Sequence, residues 1–113
     1  MHLPYRKNAI IPEGKLTRYL LSLTHEKGKS KAKFFRGIGF NDTNIERLEI
    51  ALLKIGKTGN VLKVDSTKSN YTIKYVIYGF IDSPNGKRYK IKTVWGIKIE
   101  TKIPRFITAI PSV

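Results

Sequence analysis

The spacing of apolar residues changes near Asn60, and this switch constrains the fold more than any other feature of the chain. An apolar stripe repeating every three to four residues buries only as a helix, and an alternating one only as a strand. Ahead of the switch, Leu16, Tyr19, Leu20 and Leu23 fall at helical spacing after Pro12, a favoured first-turn residue. This predicts a helix from about Glu13 to Leu23. A polar, glycine-containing connection runs from His25 to Lys29, after which Ser30 is placed to cap a short helix from Lys31 to Arg36 or Gly37. Thr43 and Glu46 have capping-box spacing, and Ile45, Leu48, Leu52 and Ile55 form a single stripe that stops at Gly56.

Beyond the switch, Val61 to Val64 reads as a short strand, and Asp65 to Asn70 as a polar loop. Tyr71, Ile73, Tyr75, Ile77 and Ile81 occupy one face of the next strand. Ser83-Pro84-Asn85-Gly86 is a strong hairpin signal, because Pro fixes φ and Asn-Gly tolerates positive φ. The third strand puts Tyr89, Ile91, Thr93, Trp95, Ile97 and Ile99 on one face, and a fourth runs from about Arg105 to Ile110. Trp95 shares its face with Ile91 and Ile97, which makes it a core residue rather than a stacking platform for bases. The expected fold class is α+β: N-terminal helices packed on one face of a four-stranded antiparallel sheet. Residues 1–113 are expected to form a single domain, with the helical part at about 12–56 and the sheet at about 60–110. Pro111, Ser112 and Val113 are expected to fray.

Charge then narrows the partner. Lys and Arg number 22 against 8 Asp and Glu, a net +14 over 113 residues. A fold carrying that self-repulsion ordinarily uses it on a polyanion, whose displaced counterions drive salt-sensitive binding. A hydrophobic content of 41% suffices for a packed core and excludes a disordered basic tail. No apolar run reaches the length of a membrane span, and no secretion signal opens the chain. Cysteine is absent, which fits a reducing compartment, so the cytoplasm is the expected location and a membrane is not an expected partner. On the even face of the last hairpin, Arg88, Lys90 and Lys92 join Lys74 and Tyr78, while the helical half adds Lys27, Lys29, Lys31, Lys33 and Arg36. Cations interleaved with tyrosine suit a phosphate-tracking, base-stacking surface, and RNA is the expected ligand. The two basic stretches could form the walls of one groove.

Metal chemistry has little to build on. Two His, no Cys and eight scattered carboxylates give no metal-ligand spacing, and no phosphate-binding loop is present. No metal and no other cofactor is expected. RNA cleavage requires less, because the substrate supplies its own 2′-hydroxyl nucleophile. The protein must move protons and stabilise charge on the phosphorane. His25 is the internal imidazole available for this, since His2 lies at the terminus. A helix-cap role for His25 is the alternative.

The segments LP, NAIIPEGKLTRYLLSLTHEKGKSKAKFFRGIGF, YVIYGFIDSPNGK, TVWGIKIE and PRFITAIP resemble a bacterial domain-of-unknown-function family numbered 6883, from Leu3 to Pro111. Lys87 stands where that family usually has Arg, and Ile110 where it often has Tyr. In architecture the chain also resembles the barnase–EndoU–colicin–RelE group of small ribonuclease toxins. That resemblance implies a basic, metal-independent endoribonuclease restrained by an acidic antitoxin or immunity protein. It further implies His25 with Lys29 or Lys31 from the helical edge, and Tyr75, Arg105 and Thr108 from the strands. Strict alternation would put Arg105 and Thr108 on opposite faces unless a bulge follows Pro104. A non-catalytic nucleic-acid-binding module and a basic protein docking an acidic partner are the other readings. Nothing in the sequence indicates the oligomeric state.

Overall fold

A computed structural model describes residues 1–66 and 71–112. Most of the polar loop expected between Asp65 and Asn70 therefore lies outside the described residues, as does Val113. The four strands are β1 (Val61–Asp65), β2 (Thr72–Asp82), β3 (Arg88–Lys98) and β4 (Arg105–Pro111), paired antiparallel in the order β1-β2-β3-β4. The helical layer holds a π turn (Leu16–Leu20), α1 (Lys29–Gly37) and α2 (Ile45–Thr58). The fold is α+β, with helices preceding a meander.

The odd residues of β2 and β3 face the helices, as the alternation predicts. Tyr75, Ile77 and Ile81 of β2, Ile91, Thr93, Trp95 and Ile97 of β3, and Phe106 and Ala109 of β4 are buried with Phe35, Leu48, Leu52 and Ile55. Burying each large side chain stabilises by about 1.5–3 kcal/mol before the entropy of ordering is charged against it. α2 approaches the sheet so closely that a Cβ on Gly56 would lie 2.6 Å from the Trp95 ring. The one polar group at the centre of this face is satisfied within it. Thr93 Oγ1 donates to the Ile77 carbonyl at 2.7 Å and accepts from Trp95 Nε1 at 2.9 Å.

Local chemistry displaces several boundaries. The helix expected over Glu13 to Leu23 is a single wide turn, because Gly14 sits at φ +85° and interrupts the helical path. α1 begins at Lys29 rather than Lys31, with Ser30 inside it. α2 starts after Asn44, and the Thr43–Glu46 box does not form: Asn41 Oδ1 accepts from both the amide and the hydroxyl of Thr43. Pro111 pairs with Ile91, and the Ser112 amide donates to the Lys90 carbonyl at 2.9 Å, so the expected fraying does not extend to these two residues.

The ladder between β3 and β4 slips by one residue. Trp95 faces Phe106 while Val94 faces Thr108, leaving Ile107 as the extra residue of a bulge. Arg105 lies opposite Gly96 and Thr108 opposite Val94, and because β4 is an edge strand the Thr108 hydroxyl still reaches the helical layer. Even residues of β2 and β3 form the face away from the helices. The basic stretch of α1 and the basic hairpin face are therefore on opposite sides of the sheet and do not wall one groove.

Candidate active site

The wide turn gathers side chains that a regular helix would spread apart. Its bonds run from residue i+5 to i, Leu20 amide to Lys15 carbonyl at 2.9 Å and Leu21 amide to Leu16 carbonyl at 2.7 Å. Lys15 Nζ thereby reaches the Ile107 carbonyl at 3.0 Å, on the bulge of β4. Tyr19 Oη bonds Thr108 Oγ1 at 2.8 Å, and either oxygen can be the donor. The Tyr19 ring carries Lys15 Nζ 4.8 Å and Lys31 Nζ 5.5 Å from its centroid, both within cation–π range. His25 meets the same ring edge-on, with centroids 5.0 Å apart. Lys15, Arg18, Tyr19 and His25 line an open depression of about 380 Å³, with Glu13 at its edge.

His25 is oriented by the backbone. Ser22 Oγ accepts from the His25 amide at 3.1 Å, and His25 Nδ1 accepts from the amides of Lys27 at 3.1 Å and Gly28 at 3.0 Å. Those two bonds fix the turn that leads into α1 and hold the imidazole in place. They also occupy the Nδ1 lone pair, which puts the proton of the neutral ring on Nε2. Gly28 permits the close approach: a Cβ there would lie 2.2 Å from the Tyr19 carbonyl.

Of the residues expected in the site, His25, Lys31 and Thr108 come together. Lys29 is exposed at the start of α1, with Lys27 and Lys33 exposed beside it. Tyr75 is placed elsewhere. It is a core residue opposite Trp95, 8% exposed, because its odd position faces the helices. Arg105 lies on the far face of the sheet, beside Lys74 and Lys98. Arg36 acts as a brace, its Nε donating to the Leu21 carbonyl at 2.7 Å and its guanidinium 3.2 Å from Asp42. Lys15, Arg18 and Tyr19 are site residues that the sequence does not single out. Their signal is the KLTRY run, in which the helical period makes Tyr19 one member of an apolar stripe.

The open face carries Lys74, Tyr78, Lys90 and Lys92, with Lys90 Nζ 5.3 Å from the Tyr78 centroid. It is not uniformly positive. Asp82 faces Arg88 across β2 and β3 at 2.9 Å. The hydrogen bond and charge of Arg88 hold the Asp82 carboxyl below its ordinary range, and Asp82 raises Arg88 in return. Among the described residues no three His, Cys, Asp or Glu side chains are grouped as metal ligands, and no helix is long and apolar enough to cross a membrane.

The fold is similar to that of a chain in a contact-dependent growth inhibition toxin–immunity protein complex from Klebsiella pneumoniae 342. The two superpose with a TM-score of 0.73 at 18% identity, covering 98% of this chain and 99% of that one. No curated protein matches the chain. The family described as Domain of unknown function (DUF6883) matches residues 2–113, which includes the π turn, His25 and the β4 bulge, and the chain belongs to that family.

Proposed function

We propose that the protein is a toxin-type endoribonuclease that cuts RNA without a metal, by attack of the 2′-hydroxyl on the adjacent phosphorus. The observation that carries this reading is the gathering of His25, Lys15, Lys31 and Thr108 around Tyr19, beside a depression lined by Lys15, Arg18, Tyr19 and His25. In such a reaction the substrate brings the nucleophile, and the protein supplies charge and proton transfer. The cations and His25 Nε2–H stabilise the phosphorane oxygens. The Tyr19–Thr108 couple holds the ribose hydroxyl and passes its proton to the leaving 5′ oxygen, so that the P–O5′ bond breaks as the O2′–P bond forms and no net proton is lost or gained. This narrows the acid–base role expected of His25 to that of a hydrogen-bond donor, because Nδ1 is already engaged by two amides. Lys29 at the mouth of the site contacts neighbouring phosphates.

Two further observations support the reading. The net charge of +14 suits a protein that acts on a polyanion. The fold is shared with a chain of a toxin–immunity protein complex, and the partner proposed for this basic chain is an acidic immunity protein or antitoxin.

The test is incubation of the purified protein with total RNA in EDTA, with analysis of the product ends. Products ending in 2′,3′-cyclic phosphate are expected. RNA that is bound but stays intact would sink the enzymatic reading and leave a binding module. His25→Ala removes the two turn hydrogen bonds as well as the donor and costs about 1–2 kcal/mol of stability. His25→Asn keeps an acceptor for the two amides and is the cleaner variant; it is expected to fold and to lose at least about 100-fold in rate. Full activity in His25→Asn would remove the imidazole from the chemistry.

A further inference from the structure

Gly96 lies at the middle of the open sheet face with a cation on either side. Lys74 of β2 and Arg105 of β4 are both its direct cross-strand partners, and Lys98 follows two residues along β3 on the same face. Neighbouring strands are about 4.8 Å apart and same-face residues of one strand about 6.8 Å apart. Three long cationic side chains therefore rise around a position that has none. The three line one depression of about 390 Å³ with Thr72 and Ile107. A Cβ at position 96 would crowd Ile107 Cδ1 at 2.8 Å and Thr72 Cγ2 at 3.1 Å, so glycine leaves these two side chains room between the cations. The two described ion pairs, Arg36–Asp42 and Arg88–Asp82, involve none of the three cations. The nearest acids by register are Asp65, opposite Lys74, and Glu100, just past β3.

We infer that Lys74, Lys98 and Arg105 form a phosphate subsite for RNA, separate from the His25 depression and joined to it around the β4 edge. Ile107 is the link. Its side chain lines the subsite, while its carbonyl accepts the Lys15 Nζ bond that helps to build the catalytic cluster. A single strand whose reacting phosphate sits at His25 and Tyr19 passes over this bulge and places a flanking phosphate between Arg105 and Lys74. Arg105 then contributes to grip on the substrate rather than to the chemical step. This inference rests on the ribonuclease reading for the direction of the strand, but the subsite itself requires only that RNA binds.

The experiment measures binding of a 2′-O-methyl RNA oligonucleotide, which cannot be cut, by fluorescence anisotropy across a salt series. The triple variant Lys74→Ala/Lys98→Ala/Arg105→Ala changes only exposed side chains. Its control, Lys7→Ala/Lys54→Ala/Lys87→Ala, removes the same charge at other exposed positions. The subsite variant is expected to bind about tenfold more weakly near physiological salt, with a log–log salt slope shallower by about 0.7 for each phosphate it no longer neutralises. The control is expected to keep the wild-type slope. Equal slopes in the two variants would overturn the subsite, whatever the protein does to cleavable RNA. On cleavable RNA the subsite variant should raise KM with kcat nearly unchanged. A loss confined to kcat would return Arg105 to the chemical step and refute the assignment. If the wild type binds but never cuts, the ribonuclease reading falls and the slope comparison still decides the subsite.

Discussion

Replacing Thr93 by Val tests whether the centre of the sheet is built around one hydroxyl. The side chain is fully buried; its oxygen donates to the Ile77 carbonyl and accepts from the Trp95 indole. Valine has nearly the same shape, so the substitution opens no cavity and isolates the hydrogen bonds. It leaves the indole N–H without a partner in a dry core, at about 1–3 kcal/mol, and removes a second bond worth about 1 kcal/mol. The added methyl offsets about 1 kcal/mol of this by apolar burial. A net loss of about 2 kcal/mol results. With an unfolding entropy of about 2.1 cal/mol/K for each of the 113 residues, that lowers Tm by about 8 °C. Urea unfolding followed by Trp95 fluorescence gives the free energy directly, and m should not change. Thr93→Ser keeps both bonds and loses one methyl group, so it should cost only about 1 kcal/mol. If Thr93→Val lies within about 0.5 kcal/mol of wild type at unchanged m, the indole is satisfied in another way and the reasoning fails.

Two other substitutions read the packing and the surface charge. Gly56→Ala should destabilise by about 1–2 kcal/mol, since about 1 kcal/mol of helix propensity is outweighed by a methyl 2.6 Å from a rigid, buried ring. Gly37→Ala meets nothing within 4 Å and should instead stabilise by up to about 1 kcal/mol; matching signs in chemical denaturation would contradict the packing of α2 on Trp95. Asp82, held low by Arg88, contributes stability above its unfolded pKa near 4 and loses it as pH falls through the lower folded value. Wild type minus Asp82→Asn stability should thus shrink below about pH 4 and stay flat from about pH 5 to 8. A difference that grows on acidification would reverse the sign.

The elements are legible where one physical term dominates. Alternation in β2 and β3 has a single explanation, burial of one face, and the structure keeps it from Ile73 to Ile97. The same alternation places Tyr75 on the odd face, so its assignment to the site conflicts with its own period, and burial wins. Helix starts are less legible because several side chains compete for the same amides. Ser30 and Thr43 both have cap chemistry, but Ser30 lies inside α1 and Thr43 turns its amide and hydroxyl to Asn41 Oδ1, so neither caps a helix.

The site is the least legible part, because it depends on two backbone irregularities that leave almost no trace in composition. Gly14 at positive φ converts an expected helix into one wide turn, and that turn lets Lys15 and Tyr19 meet β4. The bulge at Ile107 sets Thr108 opposite Val94 on the edge strand, and its hydroxyl lies 2.8 Å from Tyr19 Oη. In a regular helix facing a regular strand, Tyr19 would be read as one more apolar residue and Thr108 as a polar edge position. Both meet at the same hydroxyl pair, and that convergence favours the proposed chemistry at Tyr19, His25 and Thr108 over the broad basic face, which offers cations but no comparable grouping with an imidazole.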